Sequence, residues 1–175
     1  HQSLHPFFLK WVKRESCFSL PGEKDSILIV LGQPGQGKSS AFLRTIDQML
    51  REHPNTVENV FLVRLRDMEH AARLVEDPLP EICKHLKMKD ETDLKNSLLL
   101  LDGLDELYMS QGLTLSQIHD FVRKLRKQLK NNNGLSLRIA LTSRTNYLKL
   151  DDFSADDYLI VHLADLSLEQ QQEWL

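Results

Sequence analysis

The run Gly32-Gln33-Pro34-Gly35-Gln36-Gly37-Lys38-Ser39 matches the pattern G-x-x-x-x-G-K-[ST] without a mismatch. Residues of these types at this spacing suit one chemistry, the holding of a phosphate chain. Glycines let backbone N–H groups curl round an anion without Cβ clashes, and a helix that follows would aim its positive dipole end at the same spot. Lys38 would reach the β- and γ-phosphates. Ser39 would offer a hydroxyl to Mg²⁺, whose remaining ligands come from phosphate oxygens and water. The flanks agree with this reading. Ile27-Leu28-Ile29-Val30-Leu31 is an uninterrupted apolar run, as expected of a strand buried on both faces of a parallel sheet. After the loop, Phe42, Ile46, Met49 and Leu50 recur at helical spacing, with Arg44, Asp47 and Gln48 between them.

A second cluster follows another buried run. Leu98-Leu99-Leu100-Leu101-Asp102-Gly103-Leu104-Asp105-Glu106-Leu107 reads as a strand ending in carboxylates, a Walker B pattern. The acids fall at the carboxyl end of the strand, the edge where ligands sit in open α/β sheets. Asp102 would hold Mg²⁺ through a water, and Asp105 or Glu106 would polarise the water that attacks the γ-phosphate. By itself Asp-Gly is an ordinary turn and acids favour helix starts; the phosphate loop tips the balance toward the metal. A third strand, Leu137-Arg138-Ile139-Ala140-Leu141-Thr142, ends in Thr142-Ser143-Arg144. If it lies between the two motif strands, Thr142 and Arg144 come close to the γ-phosphate and report its presence. The lesser alternative for Arg144 is a surface cation in a loop. The candidate nucleotide-binding residues are Gly32, Gln33, Pro34, Gly35, Gln36, Gly37, Lys38, Ser39, Ser40 and Thr142. The metal candidates are Ser39 and Asp102, and the catalytic candidates are Asp105, Glu106 and Arg144.

Taken together, the loop at 32–39, the Walker B stretch with a tiny residue, Gly103, directly after its aspartate and acids at Asp105 and Glu106, and Leu141-Thr142-Ser143-Arg144 resemble a NACHT domain of the STAND class of P-loop NTPases. A bacterial member is the expectation. The resemblance implies a three-layer α/β/α domain with a mainly parallel five-stranded sheet of order 5-1-4-3-2. It also implies binding and slow hydrolysis of ATP, with GTP as the other nucleotide, by a Mg²⁺-dependent switch in a larger signalling protein of immune or antiviral defence. Self-association and further effector and sensor domains would belong to that longer protein. An AAA+-type ATPase and a nucleotide-locked oligomerisation module with incidental hydrolysis are the alternatives. Gly103, where the AAA+ group often has a second acid, counts against the first.

A chain of 175 residues accommodates one three-layer domain and not two. Its net charge of -3 argues against a protein dominated by nucleic-acid contacts. No apolar stretch approaches the ~20 residues that cross a bilayer, so the expectation is a cytoplasmic protein with no membrane partner. Cys17 and Cys83 lack metal-ligand spacing and read as reduced, inert thiols, and the seven histidines show no zinc spacing. The acidic pairs Asp151-Asp152 and Asp156-Asp157 lack a calcium-loop pattern.

The elements needed to position these groups alternate along the chain. Leu4, Phe8, Trp11 and Val12 form the stripe of a leading helix, which with a linker occupies 1–24 and precedes the nucleotide-binding domain at 25–165. Val60–Leu65 reads as the second strand, and Leu79, Ile82, Cys83 and Leu86 as the stripe of a helix started by Pro78 and Pro80. Ile118, Val122, Leu125 and Leu129 mark a helix ended by the Asn131-Asn132-Asn133-Gly134 turn, its Arg123, Lys124, Arg126, Lys127 and Lys130 forming a solvated face. Tyr158-Leu159-Ile160-Val161 is the last strand. Ser167 and Gln170 make a capping-box pattern, so 166–175, with Trp174 and Leu175, reads as the start of a further helical domain.

Overall fold

The structure, a computed structural model, describes residues 4–13, 27–148 and 158–163. The acidic pairs at 151–157, Cys17 and the capping pattern at 166–175 lie outside the described residues. Five strands, β1 (Ile27–Leu31), β2 (Asn59–Arg64), β3 (Ser97–Asp102), β4 (Arg138–Ser143) and β5 (Leu159–His162), form one sheet of order β2-β3-β4-β1-β5. Every pairing is parallel. Read from the other edge this is the expected 5-1-4-3-2, and β4 lies between the two motif strands.

The apolar runs are continuous because both faces of the central strands are covered. Ile27, Ile29 and Leu31 of β1, Leu99 and Leu101 of β3, and Ile139 and Leu141 of β4 point to one side. There they meet α3 (Ala71–Glu76), α4 (Pro78–His85), α5 (Leu104–Gln111) and α6 (Leu115–Asn131). Leu28, Val30, Leu98, Leu100 and Ala140 point to the other side, against α1 (Leu4–Val12) and α2 (Lys38–Glu52). Three rings pack on that side, with Phe8 5.4 Å from both Trp11 and Phe42. Arg138, buried at the start of β4, lays its guanidinium 5.8 Å from the Trp11 ring centroid.

Local signals account for the helix ends. Thr114 and Gln117 close a full capping box at the start of α6, and Pro78 opens α4. Some expectations shift. Leu50 is 36% exposed, because the buried stripe of α2 runs through Phe42, Thr45, Ile46 and Met49. Leu65 leaves the second strand for a 3-10 turn, Leu65–Asp67, and Leu86 caps α4 half-buried. On α6, Arg123, Lys124, Lys127 and Lys130 are exposed, whereas Arg126 is half-buried over the Tyr158 ring. Cys83 is buried, which pushes its thiol up to about 11. Among the described residues, no helix is long and apolar enough to cross a membrane.

Candidate nucleotide site

The phosphate loop leaves the carboxyl end of β1 and is pinned there by Gly32 N–H donating to Ser143 O at 3.2 Å. Two of its residues require glycine. Gly35 and Gly37 adopt φ of 77° and 69°, the left-handed region that L side chains avoid, and a Cβ on either would meet nothing within 4 Å. The loop therefore opens a bare concave backbone in front of α2, which starts at Lys38 with Gly37 as its cap. Lys38 Nζ arches back over the loop, donating to Gly32 O at 3.0 Å and Gln33 O at 2.9 Å. Burial lowers the Lys38 pKa and Arg144 adds to that, while Asp105, Asp102 and Glu106 oppose it. The Gln36 side chain accepts the Gln33 N–H, and Gln33 Nε2 reaches Thr145 Oγ1 at 3.3 Å. Pro34, Ser39 and Ser40 are exposed.

Across the β1–β4–β3 junction, Asp102 gathers two hydroxyls. Ser39 Oγ donates to Asp102 Oδ1 at 2.9 Å, and Thr142 Oγ1 donates to the same oxygen at 2.6 Å. Thr142 Oγ1 in turn accepts the Gly103 N–H at 2.9 Å. One buried threonine hydroxyl thus ties the end of β4 to the turn that follows β3. Gly103 turns there at φ 82°, and a Cβ would press on the Glu106 side chain at 3.1–3.3 Å. The expected metal residues are therefore in contact through hard oxygen donors, the set that Mg²⁺ prefers. Among the described residues, no cluster of three or more His, Cys, Asp or Glu side chains able to hold a metal converges.

The three catalytic candidates lie on the same edge, with separate partners. Arg144 Nε lies 2.7 Å from Asp105 Oδ2, and Arg66 NH1 lies 3.3 Å from Glu106 Oε2. Arg66 was not legible in the sequence. It sits on the 3-10 turn after β2, and the register that sets Arg64 beside Asp102 brings the next residues to the Walker B strand end. Tyr108 of α5 and Tyr147 pack at 4.9 Å between centroids, a contact with no local sequence signature. A cavity of about 810 Å³ bounded by Val12, His53, Asn96 and Arg138 lies at the opposite, amino end of the strands, away from all these groups.

A parallel sheet whose central strand separates a G-x-x-x-x-G-K-[ST] loop from a strand ending in acids defines a P-loop nucleoside triphosphatase fold with a nucleotide-binding edge. The family model of the NACHT domain matches residues 26–175, and the chain belongs to that family. A comparison with curated proteins finds no significant match. Among solved structures the chain is similar to the E. coli MS115-1 HORMA:CdnC:Trip13 complex, with TM-score 0.55 and 13% identity over 97% of this chain and 63% of that one. It is also similar to the Aeropyrum pernix ORC2 protein in ADPNP-ADP complexes, with TM-score 0.52 and 13% identity over 93% and 48%. Drosophila ORC bound to DNA matches at TM-score 0.52 and 16% identity over 97% and 42%. At these identities the likeness is one of fold. The chain spans between 42% and 63% of the length of those chains.

Proposed function

We propose that this chain is a Mg²⁺-dependent ATP-binding domain, with GTP as the other nucleotide, whose slow hydrolysis sets the conformational state of a larger cytoplasmic signalling protein in immune or antiviral defence. Residues 25–165 would form the nucleotide-binding domain, 1–24 its leading segment and 166–175 the start of a helical domain. Self-association and coupling to effector and sensor domains would belong to the longer protein. The observation that carries the reading is the 2.9 Å contact between Ser39 of the phosphate loop and Asp102 of the Walker B strand, beside Lys38. It unites the anion site with the metal site at one sheet edge. Membership of the NACHT family favours this reading over the AAA+ alternative.

In this reading the loop N–H groups and Lys38 bind the β- and γ-phosphates, and Ser39 and Asp102 hold the ion, Asp102 through a water. When bound, Mg²⁺ would neutralise charge on the phosphate oxygens. Thr142 keeps Asp102 turned toward Ser39, and Arg144 answers the charge of the γ-phosphate. A carboxylate after Gly103 polarises the attacking water.

Calorimetric titration with ATP and ADP in Mg²⁺ tests the reading, comparing the wild type with Lys38→Ala. The expected result is binding in the wild type, loss of binding in the variant, and near-identical circular dichroism, because Lys38 bonds to the loop and not into the core. Equal affinity in both proteins would overturn the phosphate-loop assignment.

A further inference from the structure

The two carboxylates after Gly103 are neighbours in sequence and occupy different surroundings. Successive helix positions point about 100° apart, so the first turn of α5 sends one inward and the other outward. Asp105 is 6% exposed by side chain and meets Arg144 at 2.7 Å; Glu106 is 44% exposed and meets Arg66 at 3.3 Å. The first is a short, charge-assisted contact between a buried acid and an arginine whose side chain is only 31% exposed. The second is a looser pair at the surface, whose side chains are free to exchange partners.

We propose that Asp105 is a positioning residue that holds Arg144 until a γ-phosphate takes the guanidinium from it, leaving Glu106 as the acid that polarises water. This rests on the nucleotide-binding reading above and assigns the two acids within it. Asp105, buried in the first turn of α5, has little access to water, whereas the 44% exposed Glu106 is open to it. Both charges also act on Lys38, Asp105 raising and Arg144 lowering its pKa, which sets the pair beside the phosphate-binding lysine. A triphosphate arriving there must draw Arg144 off Asp105 before the guanidinium can meet the γ-phosphate. ADP lacks the group that would compete for Arg144 and leaves the pair intact. The pair therefore biases the site toward the diphosphate, and releasing an intact Arg144 from Asp105 favours the triphosphate.

The test is a two-residue cycle on this chain: wild type, Asp105→Asn, Arg144→Gln and the double variant, titrated with ADP and with a non-hydrolysable ATP analogue in Mg²⁺. Asp105→Asn should tighten the analogue about five- to tenfold and move ADP less than about twofold. Arg144→Gln should erase most of the triphosphate preference, and in that background Asp105→Asn should lose its effect on the ratio. Single-turnover hydrolysis should fall by about 100-fold or more in Glu106→Gln and far less in Asp105→Asn. An unchanged analogue-to-ADP ratio in Asp105→Asn, the same effect with and without Arg144, or equal hydrolytic losses at both acids would overturn the assignment. Should Asp105→Asn fail to fold, Arg144→Gln alone decides: an unaltered triphosphate preference refutes the proposal. Absence of binding in the wild type would instead overturn the nucleotide-binding reading itself.

Discussion

Gly103→Ala, paired with Gly112→Ala, separates backbone strain from its consequence for the site. Both glycines hold positive φ, 82° and 64°, where an L residue costs roughly 1–2 kcal/mol. For a domain of this size that corresponds to a fall in melting temperature of about 2–8 °C in either variant. The surroundings differ. A Cβ at Gly112 meets nothing within 4 Å, whereas one at Gly103 lies 3.1 Å from Glu106 Cδ and 3.2 Å from its Oε2. The Glu106 carboxylate must therefore yield by tenths of an ångström. On the scale where a 1 Å misplacement costs about 100-fold, hydrolysis should slow roughly three- to tenfold in Gly103→Ala. Gly112→Ala should hydrolyse at the wild-type rate. Calorimetric melting and single-turnover hydrolysis at saturating enzyme supply the two readouts. Equal hydrolysis in the two variants would rule out a displaced Glu106 at Gly103, and an undiminished melting temperature in both would rule out the backbone strain.

Thr142→Val keeps the shape and removes a hydroxyl that serves both Asp102 and the Gly103 N–H, so about 1–3 kcal/mol of stability should go, with Thr142→Ser restoring it in thermal melts. Asp102→Asn should weaken nucleotide binding in Mg²⁺ and leave the weaker binding in EDTA nearly unchanged; equal losses in both buffers would contradict its metal role. Lys38 has a pKa lowered from 10.5 mainly by burial, so between that lowered value and 10.5 the unfolded chain carries more protons than the folded one. Stability from this residue rises with pH across that window, while ATP affinity falls as the ammonium is lost. Titrations up the alkaline range should show that fall; affinity that stays flat would remove Lys38 from the phosphates.

Much of the sheet was legible because burial on both faces writes itself as unbroken apolar runs. β1 and β3 are of that kind. β2 was harder to bound, since as an edge strand it buries Val63 and leaves Leu62 38% exposed, and Leu65 continues the apolar run into a turn. The loop glycines and the Ser39, Asp102 and Thr142 set were legible because each sits at a strand end that parallel topology must bring to one edge. The choice between Asp105 and Glu106 was not. It depends on the angle at which α5 leaves Gly103, and a pair of adjacent acids carries no record of that angle. Arg66 was hidden for a related reason: its role comes from the β2–β3 register, a long-range property, and nothing in its own neighbours distinguishes it from other surface arginines.

The position of β4 bears on how the site comes into being during synthesis. The phosphate loop and the Walker B strand are made early, yet β1 pairs only with β4 and β5, and β2 only with β3. Until β4 is available, the first strand has no neighbour in the sheet. Gly32 then also lacks its acceptor on Ser143, and Asp102 lacks Thr142. Closing so large a loop in the chain delays that step relative to the local β2–β3 unit. A nascent chain that has emerged through β3 but not β4 thus carries every residue of the phosphate loop and the metal pair, and still lacks the strand that joins them into one edge. The two halves of the site meet only with the strand that fills the gap between them.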